Sequence, residues 1–289
     1  MFKKNLIAAM IGVTVAVAAV PAHAFTIQAG DFKMILDALD SATTAYGTTP
    51  GTVCATAAAC DAAAAAPAPG SVGSVNTSAD TMGIFSIASI TNISTAASWF
   101  TRGVDGYLTG VFGNLTDYNV TVAGSTTSAL ASGGTFAMFL NTTQYDPTLG
   151  PLVAAGKDLN ALLYPGVSGG SLVLSGAFGS GILFGDTTTT FSTTYNNLSI
   201  VGGSGGYLDV TGGAWQTNFD TNKEIGLNGE ERDLLTSFTF RPNATTTAQG
   251  WTVLASGDIT GNAIPEPGSM ALAGLGLIGL AALRRRKPE

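Results

Sequence analysis

An antiparallel all-β domain of sandwich or jelly-roll type is what this sequence of 289 residues predicts, and three observations carry the prediction. Short segments alternate apolar and polar side chains at period two, glycine-rich turns separate them, and helical spacing is scarce. The chain is rich in Gly, Ser, Thr and Ala and only 11% of it is charged. About 240 residues lie between two hydrophobic ends, enough to bury a substantial interior as a single domain.

The front end, residues 1–24, reads as a secretory signal peptide. Lys3 and Lys4 form the basic start, Leu6 to Val20 the apolar stretch, and Ala22-His23-Ala24 the small-x-small ending that places cleavage after Ala24. The β-rich extracellular domain then occupies residues 25–263, and residues 264–289 form a terminal tail. "GDFKMILDALDS" near the mature start fits strand and helix alike. Residues 48–79 are low-complexity Ala, Pro, Gly and Ser and read as a mobile loop or insertion rather than a packed element. Within it, Cys54 and Cys60 are the only cysteines. In an exported chain so close a pair points to a disulfide closing a small loop, with two exposed thiols as the alternative.

Strand signals follow. "MGIFSIASI", "GTFAMFLN" and "SGGSLVLSGAF" are apolar on both faces, which suits strands lying centrally between two layers. "DYNVTVAG" alternates through Val120 and Val122. "DLLTSFTFR" puts Leu234, Phe238 and Phe240 on one face and Ser237, Thr239 and Arg241 on the other. "GGYLDVTGGAW" and "GWTVLASGDITG" extend the series, with glycines at 202–206 and 212–213 as punctuation. One short helix is expected in "PLVAAGKDLNALLYPG", where Leu152, Ala155, Leu159 and Leu162 share a face.

Composition removes several functions. Residues 25–265 carry six cations against 17 acidic side chains, a net charge of −11. Such a surface repels phosphate, so nucleic acid is not an expected partner. His23 is the only histidine and leaves with the signal peptide, so the mature chain has no base for a Ser-His-Asp or Cys-His arrangement and no imidazole for zinc. "GVSGG", Gly166 to Gly170, matches G-x-S-x-G around Ser168 but lacks that histidine and reads as a loop between strands. "GLGLIG", with Gly274, Gly276 and Gly279, lies inside the terminal apolar run, where small residues of a membrane helix explain it. No metal or cofactor is expected.

Weaker signals touch binding. Asp220, Asn222, Glu224 and Glu231 fall at positions 1, 3, 5 and 12 of a calcium-loop spacing, but Ile225 stands where the turn glycine belongs. A polar hairpin around Asn228-Gly229 is the simpler reading. Asn-x-Ser/Thr occurs at Asn76, Asn92, Asn114, Asn119, Asn141, Asn197 and Asn243. Trp99, Trp215 and Trp251 offer flat faces for sugar rings or, more simply, for the core.

The tail ends the chain with "PEPGSMALAGLGLIGLAALRRRKPE". Its apolar run, Met270–Leu283, has 14 residues, about 21 Å as a helix against a hydrocarbon core of about 30 Å. The basic cluster after it holds the segment at the cytoplasmic face, so the run spans only with bilayer thinning. Pro265-Glu266-Pro267, this short helix, and Arg284, Arg285 and Arg286 resemble the PEP-CTERM family. The resemblance implies a Gram-negative-type bacterium in which an exosortase recognises the tail and cuts it near the PEP motif, releasing the protein to the surface or extracellular matrix. In that reading Pro265, Glu266 and Pro267 are recognition residues and the helix is a transient membrane contact.

"GYLTGVFGN", "DLLTSFTF" and "GWTVLASGDITGNAIPEPGS" are similar to the flocculation-associated PEP-CTERM proteins, from which the Cys54–Cys60 segment departs. That likeness implies cell aggregation with extracellular polysaccharide as partner. The sequence therefore points to a non-enzymatic matrix protein. A carbohydrate-binding module and a two-carboxylate glycosidase, which needs no histidine, are the alternatives.

Overall fold

The computed structural model describes residues 27–41, 50–63, 80–145, 166–196, 198–199, 201–241, 251 and 253–264. The signal peptide with Ala24, the helix expected near 152–162 and the tail from Pro265 onward lie outside them.

The ambiguous first segment is a strand, β1 (Gly30–Ser41), with Phe32, Met34, Leu36 and Ala38 pointing inward. Pairing on both sides settles what its pattern left open, since period two satisfies two neighbouring ladders and a helix satisfies neither. After it come β2 (Gly51–Cys54), α1 (Ala57–Ala63), β3 (Asp80–Asn92), β4 (Ser98–Thr101), β5 (Tyr107–Ala123) and β6 (Thr126–Asn141). The second half contains β7 (Ser171–Gly179), β8 (Phe191–Asn196), β9 (Gly202–Gly212), α2 (Gln216–Phe219), β10 (Glu224–Ile225), β11 (Glu231–Arg232), β12 (Leu234–Arg241) and β13 (Val253–Ala263).

Eleven strands form one antiparallel sheet, and its pairings close into a ring. β1 pairs β3, β3 pairs β5, β5 pairs β6, and β9, β12 and β13 follow in sequence until β13 pairs β1. Between β6 and β9 the wall is a composite. β7 takes one part of each neighbour and β8 the rest, so they form one strand interrupted by residues 180–190. The all-β antiparallel class holds, but a sheet closed on itself replaces the two separate layers of a sandwich or jelly roll. Each ring strand pairs with its neighbour in sequence and the last pairs with the first, so no connection has to cross between layers.

The interior is filled by aromatic rings that lie over glycines. Gly83 is opposite Phe112 and Gly110 opposite Phe85 on the β3–β5 ladder. Phe136 faces Gly176, Phe191 faces Gly206, Tyr195 faces Gly202 and Phe238 faces Gly257. A ring needs the volume that a partner side chain would occupy, and glycine leaves it free. This corrects the reading of glycines 202–206 as punctuation: they are inside β9, where Gly202 and Gly206 lie under aromatic rings and Gly203 and Gly205 lie close to backbone carbonyls of β12, and Gly213, at φ +98°, ends the strand. Phe112 on β5 also reaches Phe238 on β12, the opposite wall, at 6.2 Å between centroids. Side chains of opposite walls therefore meet across the interior.

A second apolar cluster lies outside the ring. Leu39, Met82, Ile84, Val111 and Leu254 face outward and are covered by Tyr145, Val167 and Trp251. Polar contacts fix this cover: Thr109 donates to the Val167 carbonyl at 2.7 Å, Asn141 donates to the same carbonyl at 3.0 Å, and Ser86 donates to the Tyr145 carbonyl at 3.0 Å. Strands such as "MGIFSIASI" read as apolar on both faces because both of their faces are buried.

Part of the low-complexity stretch is also packed. β2 pairs β5, and Cys54 and Cys60 are buried with Val120 and Ala129. The description of 48–79 as an unpacked loop therefore fails for residues 50–63, where a disulfide and one strand ladder supply the order that composition did not announce.

Gly110→Val tests the ring-over-glycine packing. A side chain there meets Phe85 and comes within 2.7 Å of the Ala137 carbonyl. Thermal or urea unfolding is expected to show a loss of about 1–3 kcal/mol, the usual cost of overpacking. Gly169→Ala, whose added carbon meets nothing within 4 Å, is expected to leave the midpoint unchanged.

Candidate functional site

Antiparallel alternation places the start of β1, the end of β3 and the end of β13 at one end of the ring. Aromatic rings plug that end. Phe32 contacts Trp99 at 5.8 Å and Phe219 edge-on at 5.1 Å, and Trp215 lies 6.2 Å from Phe219. The plug seats the single turn of α2, and this turn presents Asn218, which is fully buried.

Asn218 holds the last described residue by both of its backbone groups. The Ile264 N–H donates to the Asn218 carbonyl at 2.9 Å, and the Asn218 side-chain amide donates to the Ile264 carbonyl at 2.9 Å. The folded domain is thus clamped up to the residue before Pro265. This contact has no signal in the sequence, because it joins positions 46 apart through backbone groups.

Beside the clamp, Asp233 organises the segment that the calcium spacing had singled out. Its buried carboxylate accepts from the Val210 N–H at 2.7 Å, the Thr221 N–H at 2.6 Å and the Asn222 N–H at 2.8 Å. Downstream, Glu224 pairs Arg232 and Ile225 pairs Glu231 as the two-stranded hairpin, with Gly229 at φ +87° in its turn. Of the four spaced ligands, the Asn222 side-chain amide donates to Asp220 at 3.5 Å, while Glu224 and Glu231 lie on the two strands of the hairpin. Among the described residues no cluster of three or more His, Cys, Asp or Glu could hold a metal.

The hairpin grips the loop of residues 180–190. Asn228 accepts from the Gly185 N–H at 2.6 Å and donates to the carbonyls of Leu183 and Asp186 at 3.1 and 3.3 Å. Arg232 donates to the Ser180 carbonyl at 2.9 Å and to Asp209 at 3.1 Å. Hydrogen bonds from the Thr189 hydroxyl, then from the backbone and hydroxyl of Thr188, hold the Asp186 carboxyl well below its ordinary range. The Asn228 side chain lowers the Glu230 carboxyl. Burial lifts Asp209 more than the Arg232 guanidinium lowers it.

The remaining candidates resolve simply. Cys54 and Cys60 form the expected disulfide. Trp99 and Trp251 are buried and Trp215 packs against the core, so core packing is the role of all three. Ser168 lies in the turn before β7. Asn92 and Asn141 are buried, Asn114 and Asn119 are exposed at left-handed bends of β5, and Asn76, Asn197 and Asn243 lie outside the described residues. Among the described residues no helix is long and apolar enough to cross a membrane.

Comparison with protein families matches the PEP-CTERM protein-sorting motif over residues 263–287. The chain carries a PEP-CTERM sorting motif. The match includes Pro265, Glu266, Pro267, Arg284, Arg285 and Arg286, and it begins at Ala263, the last residue of β13. PEP-CTERM proteins are exported and sorted to the cell surface in Gram-negative bacteria, and the motif implies processing by an exosortase. Comparison with curated proteins and with solved structures finds no match.

Asp186 and Glu230 predict how the gripped loop responds to acid. Both carboxyls are depressed from ordinary values of 3.8 and 4.5, so the anions' contribution is fully present above those values and is lost as pH falls through the folded ones. Amide resonances of Gly185 and Leu227 are expected to hold steady from neutral pH to about 4 and to shift below it. Titration of those resonances at higher pH contradicts this account.

Proposed function

We propose that this is a non-enzymatic matrix protein: an exported, closed β-ring delivered by its PEP-CTERM tail and supporting exopolysaccharide-dependent cell aggregation. The observation that carries the proposal is the junction at Ala263–Ile264, where a sorting motif follows directly on a domain whose interior is filled by aromatic rings. The histidine-free mature sequence and its acidic charge agree with a structural role. The terminal apolar run acts as a temporary span, the exosortase as the processing partner, and the extracellular polysaccharide as the material joined.

Deleting residues 265–289 is expected to abolish surface delivery and flocculation. Intact mass of the extracellular protein is expected to show loss of residues 1–24 and of the arginine-bearing tail. Unchanged aggregation in the deletion strain removes the proposal.

One observation favours a carbohydrate-binding reading. The tryptophans are in the core, but Phe184 is 85% exposed on the loop that Asn228 holds in place. An aromatic ring fixed at a loop tip offers a stacking face. Polysaccharide pull-down compares the two readings: retention that falls several-fold in Phe184→Ala assigns direct binding, and equal retention leaves the scaffold.

A further inference from the structure

We infer that, before the tail is cut, the ring end at Ile264 rests on the lipid surface, with Ile93, Val104, Leu172 and Ile264 as its contact. The inference rests on the reading of Met270–Leu283 as a membrane span, and it adds which face of the domain meets the bilayer.

Chain length makes the first argument. Asn218 clamps Ile264, and Met270 begins the apolar run, so five residues separate the folded domain from the span. Fully extended, they reach at most about 18 Å. A tether this short holds the exit end beside the bilayer at a high effective concentration, where even a weak surface is occupied.

The character of that end makes the second argument. Ile93 follows β3, Val104 is in the turn before β5, Leu172 is at the start of β7, and Ile264 follows β13. Ile93, Leu172 and Ile264 are at the exit end by antiparallel alternation, and Val104 is in the turn that follows β4, which starts at that end. The exposures are 55% for Ile93, 67% for Val104, 42% for Leu172 and 44% for Ile264. Ile93 is tied to the exit region directly, its N–H donating to the Asp31 carbonyl at 2.9 Å, and Asp31 pairs Asn262. Asp31, Asp105 and Asp220 outnumber the exposed Lys223 at the same end, so an anionic lipid offers no net attraction and the contact is apolar. Four scattered side chains are too little surface to retain the protein alone, so cutting the tether ends the contact and frees the domain.

Hydrogen exchange on the full chain, tail intact, in phosphatidylcholine nanodiscs tests this against the released mature protein. Amides of residues 93–97 and 102–106 are expected to slow by about fivefold or more in the discs. Those of residues 123–126 and 201–203, at the opposite end, are expected to be unchanged. Ile93→Ser with Val104→Ser, both at exposed positions, is expected to remove the slowing. Entry into the discs with equal exchange at both ends overturns the inference alone. Slowing that appears only when exosortase is added overturns it in favour of a protein partner. Failure to enter the discs overturns the spanning tail together with it.

Discussion

An aromatic ring lying on a glycine of the neighbouring strand is the contact on which the rest of this structure depends. Eight strand positions around a ring leave an interior only wide enough for side chains. If every inward position carried a large residue, the walls could not approach. If every one were small, the interior would hold voids and lose its packing energy. Pairing Phe112 with Gly83, Phe85 with Gly110 and Phe238 with Gly257 resolves the conflict locally, ladder by ladder. The interior is then filled across its width, because Phe112 can meet Phe238 from the opposite wall.

Closure has a second consequence, for the surface. Strands paired on both sides present no long unpaired edge, which guards an exported domain against edge-to-edge association. It also frees the surface from any duty of hiding backbone, so loops such as 180–190 can be built out and fixed by a few polar side chains. Asn228, Arg232 and Asp233 do this in one hairpin, by joining backbone groups of three separate segments. Asp186 serves the same end from within the loop, its carboxylate being the common acceptor for Thr188 and Thr189.

Local features were legible in the sequence. The alternation in "DLLTSFTFR" gives the correct inward face of β12, "MGIFSIASI" is buried on both sides although Leu172 of "SGGSLVLSGAF" is exposed, and Asn228-Gly229 turns a hairpin. The cysteine pair follows from local spacing, and the sorting motif from its resemblance to the PEP-CTERM family. Closure was not legible, because it depends on β1 pairing with β13 across most of the chain, and no local pattern encodes a partner that far away. Strand glycines look like turns in the sequence because glycine favours turns in isolation. Their role appears only when the ring opposite each one is known. Asn218 and Asp233 were missed for the same reason, since their partners are backbone groups of distant segments, which every sequence possesses.

The strand that completes the ring is also the strand that begins the sorting motif. β13 is hydrogen-bonded to β1 on one side and β12 on the other, so the ring closes only when residues up to Ala263 are in place. Ala263 is the first residue of the matched motif. A cut C-terminal to Ile264 leaves both ladders and the Asn218 clamp intact, whereas a cut inside β13 opens two ladders at once. Fold and sorting therefore impose one constraint on one short stretch: the domain must end where the tail starts. The Asn218 clamp is the device that fixes that boundary, holding the chain as a third strand would at a point where no strand remains to pair with it.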